Sequence, residues 1–244
     1  DSATTSFGRK HFHNMGVSIC NYFNLESNSL VVDVGSNTGV LLSSFKLKNM
    51  KVLGIEPSDN VASIARKKRI NTITAFFSKK IAEKILKKYG KVSVLTGTNV
   101  FAHIDDLDDF MNGVKILLKS DGILVIEAPY LVNLFDNLEY DTIYHEHLSY
   151  LSVKPLKQFC EKHKMDLFDV EIQKIHGGTL RYFIGRKGKH KISNNINKFL
   201  KLESTKKIYS DKKLKEFAQN VKDHRSKLLK LLFNLKKSGK TIVA

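Results

Sequence analysis

Cysteine, proline and tryptophan are nearly missing from this 244-residue chain, with two, three and none respectively. Cys20 and Cys160 stand alone, with no CxxC and no histidine at metal-ligand spacing. That argues against a zinc site and a disulfide framework, and suits a reducing cytoplasm. Three prolines and 14 glycines exclude a collagen-like chain, and no run of 18 uncharged apolar residues is present to span a membrane. The start, Asp1-Ser-Ala-Thr-Thr-Ser, lacks the basic and apolar regions of a signal peptide. The end, Gly239-Lys-Thr-Ile-Val-Ala244, stops in the middle of what reads as a strand, so the chain is expected to be a fragment cut from a longer protein at both ends.

Acidic residues are scarce only toward the C-terminus. Residues 1–150 carry 17 basic and 16 acidic side chains, whereas residues 151–244 carry 24 and 8. The net charge of +17 suggests a polyanion such as nucleic acid. Its confinement to the last third, and the excess of lysine over arginine, argue against that partner and for a solvated surface. The 42% hydrophobic content supports a sizeable core.

Short β-branched runs at 30–34, 52–55, 72–75, 92–96 and 122–127 alternate with helical patterns at about 38–48, 58–69, 78–89 and 105–118. That alternation predicts right-handed βαβ units on a parallel sheet. Phe7, Phe12, Met15, Ile19 and Phe23 recur at helical spacing over about 7–24, an extra helix against the sheet. After an irregular segment, 128–149, come a helix at about 153–164 and strands at 167–172 and 180–184, which close the sheet with an antiparallel edge. A long amphipathic helix over about 205–237 is expected to dock its Leu214, Phe217, Val221, Leu228, Leu232 and Leu235 stripe on the domain. The division expected is a cofactor-binding domain at 1–190 and a basic helical extension at 191–244.

Val31-Val-Asp-Val-Gly-Ser-Asn-Thr-Gly39 joins the first strand to the first helix through a turn fit for close backbone approach to a ligand. Glu56, followed by Pro57, ends the second strand 23 residues after Asp33, a spacing that suits a carboxylate on ribose hydroxyls. Dinucleotide enzymes want G-x-G-x-x-G; here Asn37 stands where the middle glycine would be. A phosphate-free adenosine ligand, S-adenosylmethionine, therefore fits better, its cationic sulfonium and its amino-acid tail meeting Asp33 and the turn through Gly35, Ser36, Asn37 and Gly39. Phe76 and Phe77 after the third strand are candidate adenine walls, with plain core packing as the alternative. Asn99 and His103 follow the fourth strand, at the edge where open α/β sheets bind ligands.

The irregular segment holds Tyr140-Asp-Thr-Ile-Tyr-His-Glu-His147. In a helical turn Tyr144 and His147 share a face, and a histidine near neutrality can take a proton while Glu146 holds its tautomer. No HExxH spacing is present, and no metal is expected. His176-Gly-Gly-Thr-Leu-Arg181 makes a glycine turn between the last strands, where Arg181 is a candidate diphosphate fork.

Taken in order, the glycine turn, Asn99-Val-Phe-Ala-His103, Glu127-Ala-Pro-Tyr130, Tyr144-His-Glu-His147 and His176-Gly-Gly-Thr-Leu-Arg181 resemble the S-adenosylmethionine-dependent C-methyltransferases of nucleotide-linked keto-deoxysugars. The resemblance spans about 8–244. It implies an α/β, Rossmann-like class I methyltransferase with about seven mostly parallel strands and helices on both faces, preceded in that family by a zinc-binding domain and followed by a second Rossmann-like one. It also implies base-assisted methyl transfer to a carbon beside a ketone, with His147 as base, Tyr144 and Glu146 as supports, and His103 near the developing enolate oxygen. Tyr130, His145, His176 and Arg181 fall on the substrate side. Against this stand an O- or N-methyltransferase of the same fold and a nucleic-acid-binding or non-catalytic module.

Overall fold

The computed structural model describes residues 5–175 and 177–243. Helix α1 (Ser6–Tyr22) precedes β1 (Leu30–Val34), α2 (Val40–Leu47), β2 (Lys51–Ile55), α3 (Asp59–Lys67), β3 (Thr72–Ile73), α4 (Lys79–Tyr89), β4 (Val92–Thr98), α5 (Leu107–Leu117) and β5 (Leu118–Pro129). Then follow α6 (Leu131–Asp136), α7 (Val153–Lys162), β6 (Met165–Gln173), β7 (Thr179–Arg186), α8 (Asn194–Thr205) and α9 (Asp211–Lys237). The strands form one seven-stranded sheet in the order β3-β2-β1-β4-β5-β7-β6. Its first five strands are parallel, and β7 runs antiparallel to both β5 and β6.

Alternate residues of each strand feed two separate apolar layers, as a sheet covered on both faces requires. Val32, Leu95, Leu124 and Ile126 meet α4, α5, α7 and α8 on one face. Val31, Val94, Ile123 and Val125 meet Phe12, Met15 and Ile19 of α1 and Leu41, Leu42 and Phe45 of α2 on the other. Phe7, included in the expected α1 stripe, is instead exposed. Gly16 of α1 lies so close to α2 that a Cβ there would fall 1.9 Å from Ser44 Oγ.

The C-terminal part departs from the sequence reading in three ways. The helix expected over about 205–237 starts later, at Asp211, because Lys207 takes a left-handed φ of 50°, Ile208 turns into the core and the Tyr209 hydroxyl donates to Glu203. The apolar stripe of α9 does not dock along its length. Phe217 packs on Phe135 and His224 meets Tyr140, but Leu214, Leu228, Leu231 and Phe233 are exposed. Residues 240–243 form no strand. Among the described residues no helix is long and apolar enough to cross a membrane.

Glu203 anchors this region. The N-cap of α7, Ser152, makes no capping bond with its side chain. The buried Glu203 carboxylate replaces it, accepting from Val153 N at 2.6 Å and Lys154 N at 3.0 Å, and from the Tyr130 and Tyr209 hydroxyls. A negative group there also meets the positive end of α7. Glu203→Ala leaves two buried donors, Val153 N–H and the Tyr130 hydroxyl, without this acceptor and is expected to cost about 3 kcal/mol in urea unfolding. A loss below about 1 kcal/mol would show that water replaces the carboxylate.

Candidate active site

The turn after β1 is built by backbone bonds that only a tight loop can make. Gly35 and Ser36 N–H groups both donate to Ile55 O, and Gly39 N–H donates to Ser36 O. Gly35 has φ 65°, and a Cβ there would lie 2.4 Å from Val100 Cγ2, so glycine is required both for the backbone and for space. Gly39, also expected to contact the ligand, lines neither of the two cavities over this turn. It starts α2 at φ 77°, and its absent Cβ points at Ile70 rather than at a cavity.

Two cavities meet over this turn. One, of about 490 Å³, is lined by Glu56, Pro57, Phe76, Phe77 and His103 and by Ile104 to Asp106. The other, of about 200 Å³, is lined by Phe12, Asp33, Ser36, Asn37 and Thr98. Gly35, Asn99 and Val100 belong to both, so the pair forms a bent groove across the carboxyl ends of β1, β2 and β4. That edge is where open α/β sheets bind ligands. The larger cavity is mostly apolar and the smaller more polar, a division that matches an adenosine with a charged amino-acid tail.

Asp33 is buried, and its Oδ1 accepts from Thr96 Oγ1 at 2.6 Å. Burial pushes its carboxyl up to about 7, opposed by the Thr96 bond and reinforced by the charge of Glu56. Glu56 is held by two backbone donors, Asn37 N–H and Ser58 N–H, each at 3.0 Å on a different oxygen. Each oxygen keeps a lone pair for a further donor. Asn37 takes φ 49°, and Asn99, at φ 55°, donates its N–H to Glu127 O. Phe77 packs edge-on to Phe110, whereas Phe76 is 80% exposed at the rim. Ser36 Oγ is buried without a hydrogen-bond partner and would clash with a side chain at position 54, which is glycine.

Beside the larger cavity, His147 lies in a turn closed by His147 N–H donating to Tyr144 O. Its Nδ1 is 2.8 Å from Thr142 O. A carbonyl only accepts, so Nδ1 carries the proton and Nε2 of the neutral ring keeps the lone pair. Tyr144 OH donates to that nitrogen at 3.2 Å, and the His103 ring centre is 4.9 Å away. The sequence expectation that Glu146 holds the tautomer is corrected here: the Thr142 carbonyl does so, and Glu146 is exposed, as is His145.

Two substrate-side expectations fail on burial. Tyr130 is 3% exposed, and its hydroxyl donates to Glu203 inside the protein. Arg181 is 4% exposed, with Nε on Glu127 Oε2 at 2.9 Å and Nη1 3.6 Å from Glu171, so its fork is already engaged by carboxylates. His176 lies outside the described residues. The glycines beside it make the hairpin: Gly177 and Gly178 take φ 73° and 123°, and Gly177 O accepts from Asn133 and Asn137. Phe12, Thr98 and Val100 line the groove without having been singled out for it. The period-2 phase of β4, which puts Thr98 on the face of Thr96, was the available signal.

A sheet of this order, with a glycine turn after β1 and an acid after β2, defines the Rossmann-like class of S-adenosylmethionine-dependent methyltransferases. Solved structures match the fold. Magnesium protoporphyrin IX methyltransferase from Synechocystis PCC 6803 gives a TM-score of 0.55 at 12% identity, over 73% of this chain and 83% of that one. A SAM-dependent methyltransferase from Archaeoglobus fulgidus gives 0.55 at 18%, over 68% and 72%. The chain belongs to the methyltransferase-domain family, which matches residues 15–167, and residues 174–244 match the C-methyltransferase C-terminal domain. It is 34% identical over 219 residues to C-methyltransferase NovU of Streptomyces niveus. That match takes in 89% of this chain and 52% of NovU, so the chain spans about half the length of this curated relative.

Proposed function

We propose that the chain is the cofactor-binding and catalytic part of an S-adenosylmethionine-dependent C-methyltransferase that acts on a carbon beside the ketone of a nucleotide-linked keto-deoxysugar. The observation that carries this reading is His147: an imidazole whose Nδ1–H is held by Thr142 O, with Nε2 next to Tyr144 and its ring beside His103, which lines the groove. Likeness to a named C-methyltransferase supports the carbon acceptor, and the ordered motifs support the sugar nucleotide. In this reading residues 1–190 form the catalytic domain and 191–244 a basic extension, at work in a reducing cytoplasm that suits two free, buried cysteines.

When bound, S-adenosylmethionine supplies an electrophilic methyl group. The residues present fit it: Gly35 leaves backbone space, Asp33 faces the recess for the ammonium tail, and Glu56 offers free lone pairs to ribose hydroxyls. A carbon beside a ketone becomes nucleophilic only after losing a proton. Nε2 of His147 takes that proton, and Tyr144 holds the imidazole in place. His103 stands by the oxygen on which negative charge develops, where a donor contributes most in the transition state.

The test is to incubate the protein with 13C-methyl-labelled cofactor and nucleotide-linked keto-sugars. A new C–CH3 resonance is expected. An O–CH3 or N–CH3 signal instead would replace this reading with methylation of a heteroatom, and failure to bind the cofactor at millimolar concentration would overturn it.

A further inference from the structure

Glu127, near the end of β5, is completely buried, yet the mechanism above does not use it. It is in register with Thr98 on β4 and Arg181 on β7, so the three side chains share the face covered by α1. Arg181 serves one carboxylate oxygen. The other takes His11 Nε2 at 2.6 Å, a contact that reaches 116 residues along the chain. Neutral or charged, a donor from α1 is thus the only partner of Glu127 Oε1 among the described hydrogen bonds of that atom. Leaving a buried carboxylate oxygen unpaired is costly, so the contact holds the helix as firmly as the helix holds it.

Thr5 caps α1, no acidic residue lies in its first turn, and Phe7 is exposed. His11 and Phe12 are the first large side chains of α1 to reach the sheet. Phe12 lines the smaller cavity, and so does Thr98, the strand neighbour of Glu127. The pair therefore holds one wall of the recess that Asp33 also lines.

We propose that His11, held by buried Glu127, is a positioning residue that sets the wall of the recess for the amino-acid end of the cofactor. The inference rests on the reading that this recess takes that end. His11 acts through helix placement and Phe12, and touches no reacting atom.

Calorimetry on the full chain with two ligands separates this from general stability. S-adenosylhomocysteine has the amino-acid end; 5′-methylthioadenosine lacks it. His11→Asn, too short to reach Glu127, is expected to weaken S-adenosylhomocysteine binding about tenfold, the scale of one hydrogen bond to a charged group. Affinity for 5′-methylthioadenosine stays within about twofold. His11→Gln, which extends an N–H to the same depth, restores most of the loss, and Phe12→Ala reproduces the selective loss if His11→Asn does not fold. Equal losses for both ligands, or none, would overturn the proposal while leaving the cofactor reading intact. No binding of S-adenosylhomocysteine by the unaltered chain would sink the cofactor reading and this inference together.

Discussion

His147→Ala is expected to lower methyl transfer about 10³-fold while leaving cofactor affinity within about twofold, because general-base catalysis contributes of the order of 10²–10⁴ and the residue lies outside both cofactor cavities. The clean readout omits the cofactor. Proton removal alone exchanges the acidic hydrogen of the sugar with solvent deuterium, and mass spectrometry follows that exchange. The unaltered chain should exchange readily and His147→Ala should not. Unchanged exchange in His147→Ala would remove His147 as the base. Tyr144→Phe deletes the hydroxyl that donates to Nε2 at 3.2 Å but leaves the Thr142 anchor, so a milder loss of about tenfold is expected.

That difference between Tyr144 and His147 follows from a contact invisible to sequence reading. Tyr144, His147 and their i, i+3 relation were legible because a dense run of titratable residues in an irregular segment is hard to explain as packing. The group that fixes the tautomer was not, since a backbone carbonyl carries no residue signature; a neighbouring glutamate was the nearest visible substitute. The sheet was legible for a different reason. Buried parallel strands must be near-continuous apolar runs, and all five were found, together with the antiparallel closure.

Burial parity explains most of what was misread. Arg181 and Tyr130 belong to motifs that occur at a binding edge, which suggested contact with substrate. Arg181 lies two residues before Phe183, which faces the α1 layer, so its side chain had to enter the same layer and find a carboxylate there. Glu127 supplies it. The reach of α9 could not be read from its periodicity either, because an apolar stripe states that a helix has something to bury without stating against what. Charge was the most misleading single quantity. Asp33 and Glu56, both from the nearly neutral part of the chain, are carboxylates of the groove lining, and the lysines of the last third are not among the described residues that line it.

Cofactor affinity should accordingly depend on Asp33 and on pH in a specific direction. The folded protein holds this carboxyl up to about 7, against an ordinary value of about 3.9 in an unfolded chain. Between those values the folded state binds more protons than the unfolded one, so this group makes folding less favourable as pH rises from about 4 to about 7, with no further change above. Ligand binding runs the other way. An ammonium tail needs the ionised carboxylate, so S-adenosylmethionine affinity should rise close to tenfold per pH unit up to about 7 and then level off. Asp33→Asn should bind weakly and without that slope, while 5′-methylthioadenosine, which has no ammonium, should show no slope with either chain. Titration calorimetry from about pH 5.5 to 8 reads all four curves. A slope that survives Asp33→Asn would assign the proton to another group and take the ammonium contact away from Asp33. A flat curve for the unaltered chain would mean that the carboxyl is already ionised before the ligand arrives, with Thr96 outweighing burial.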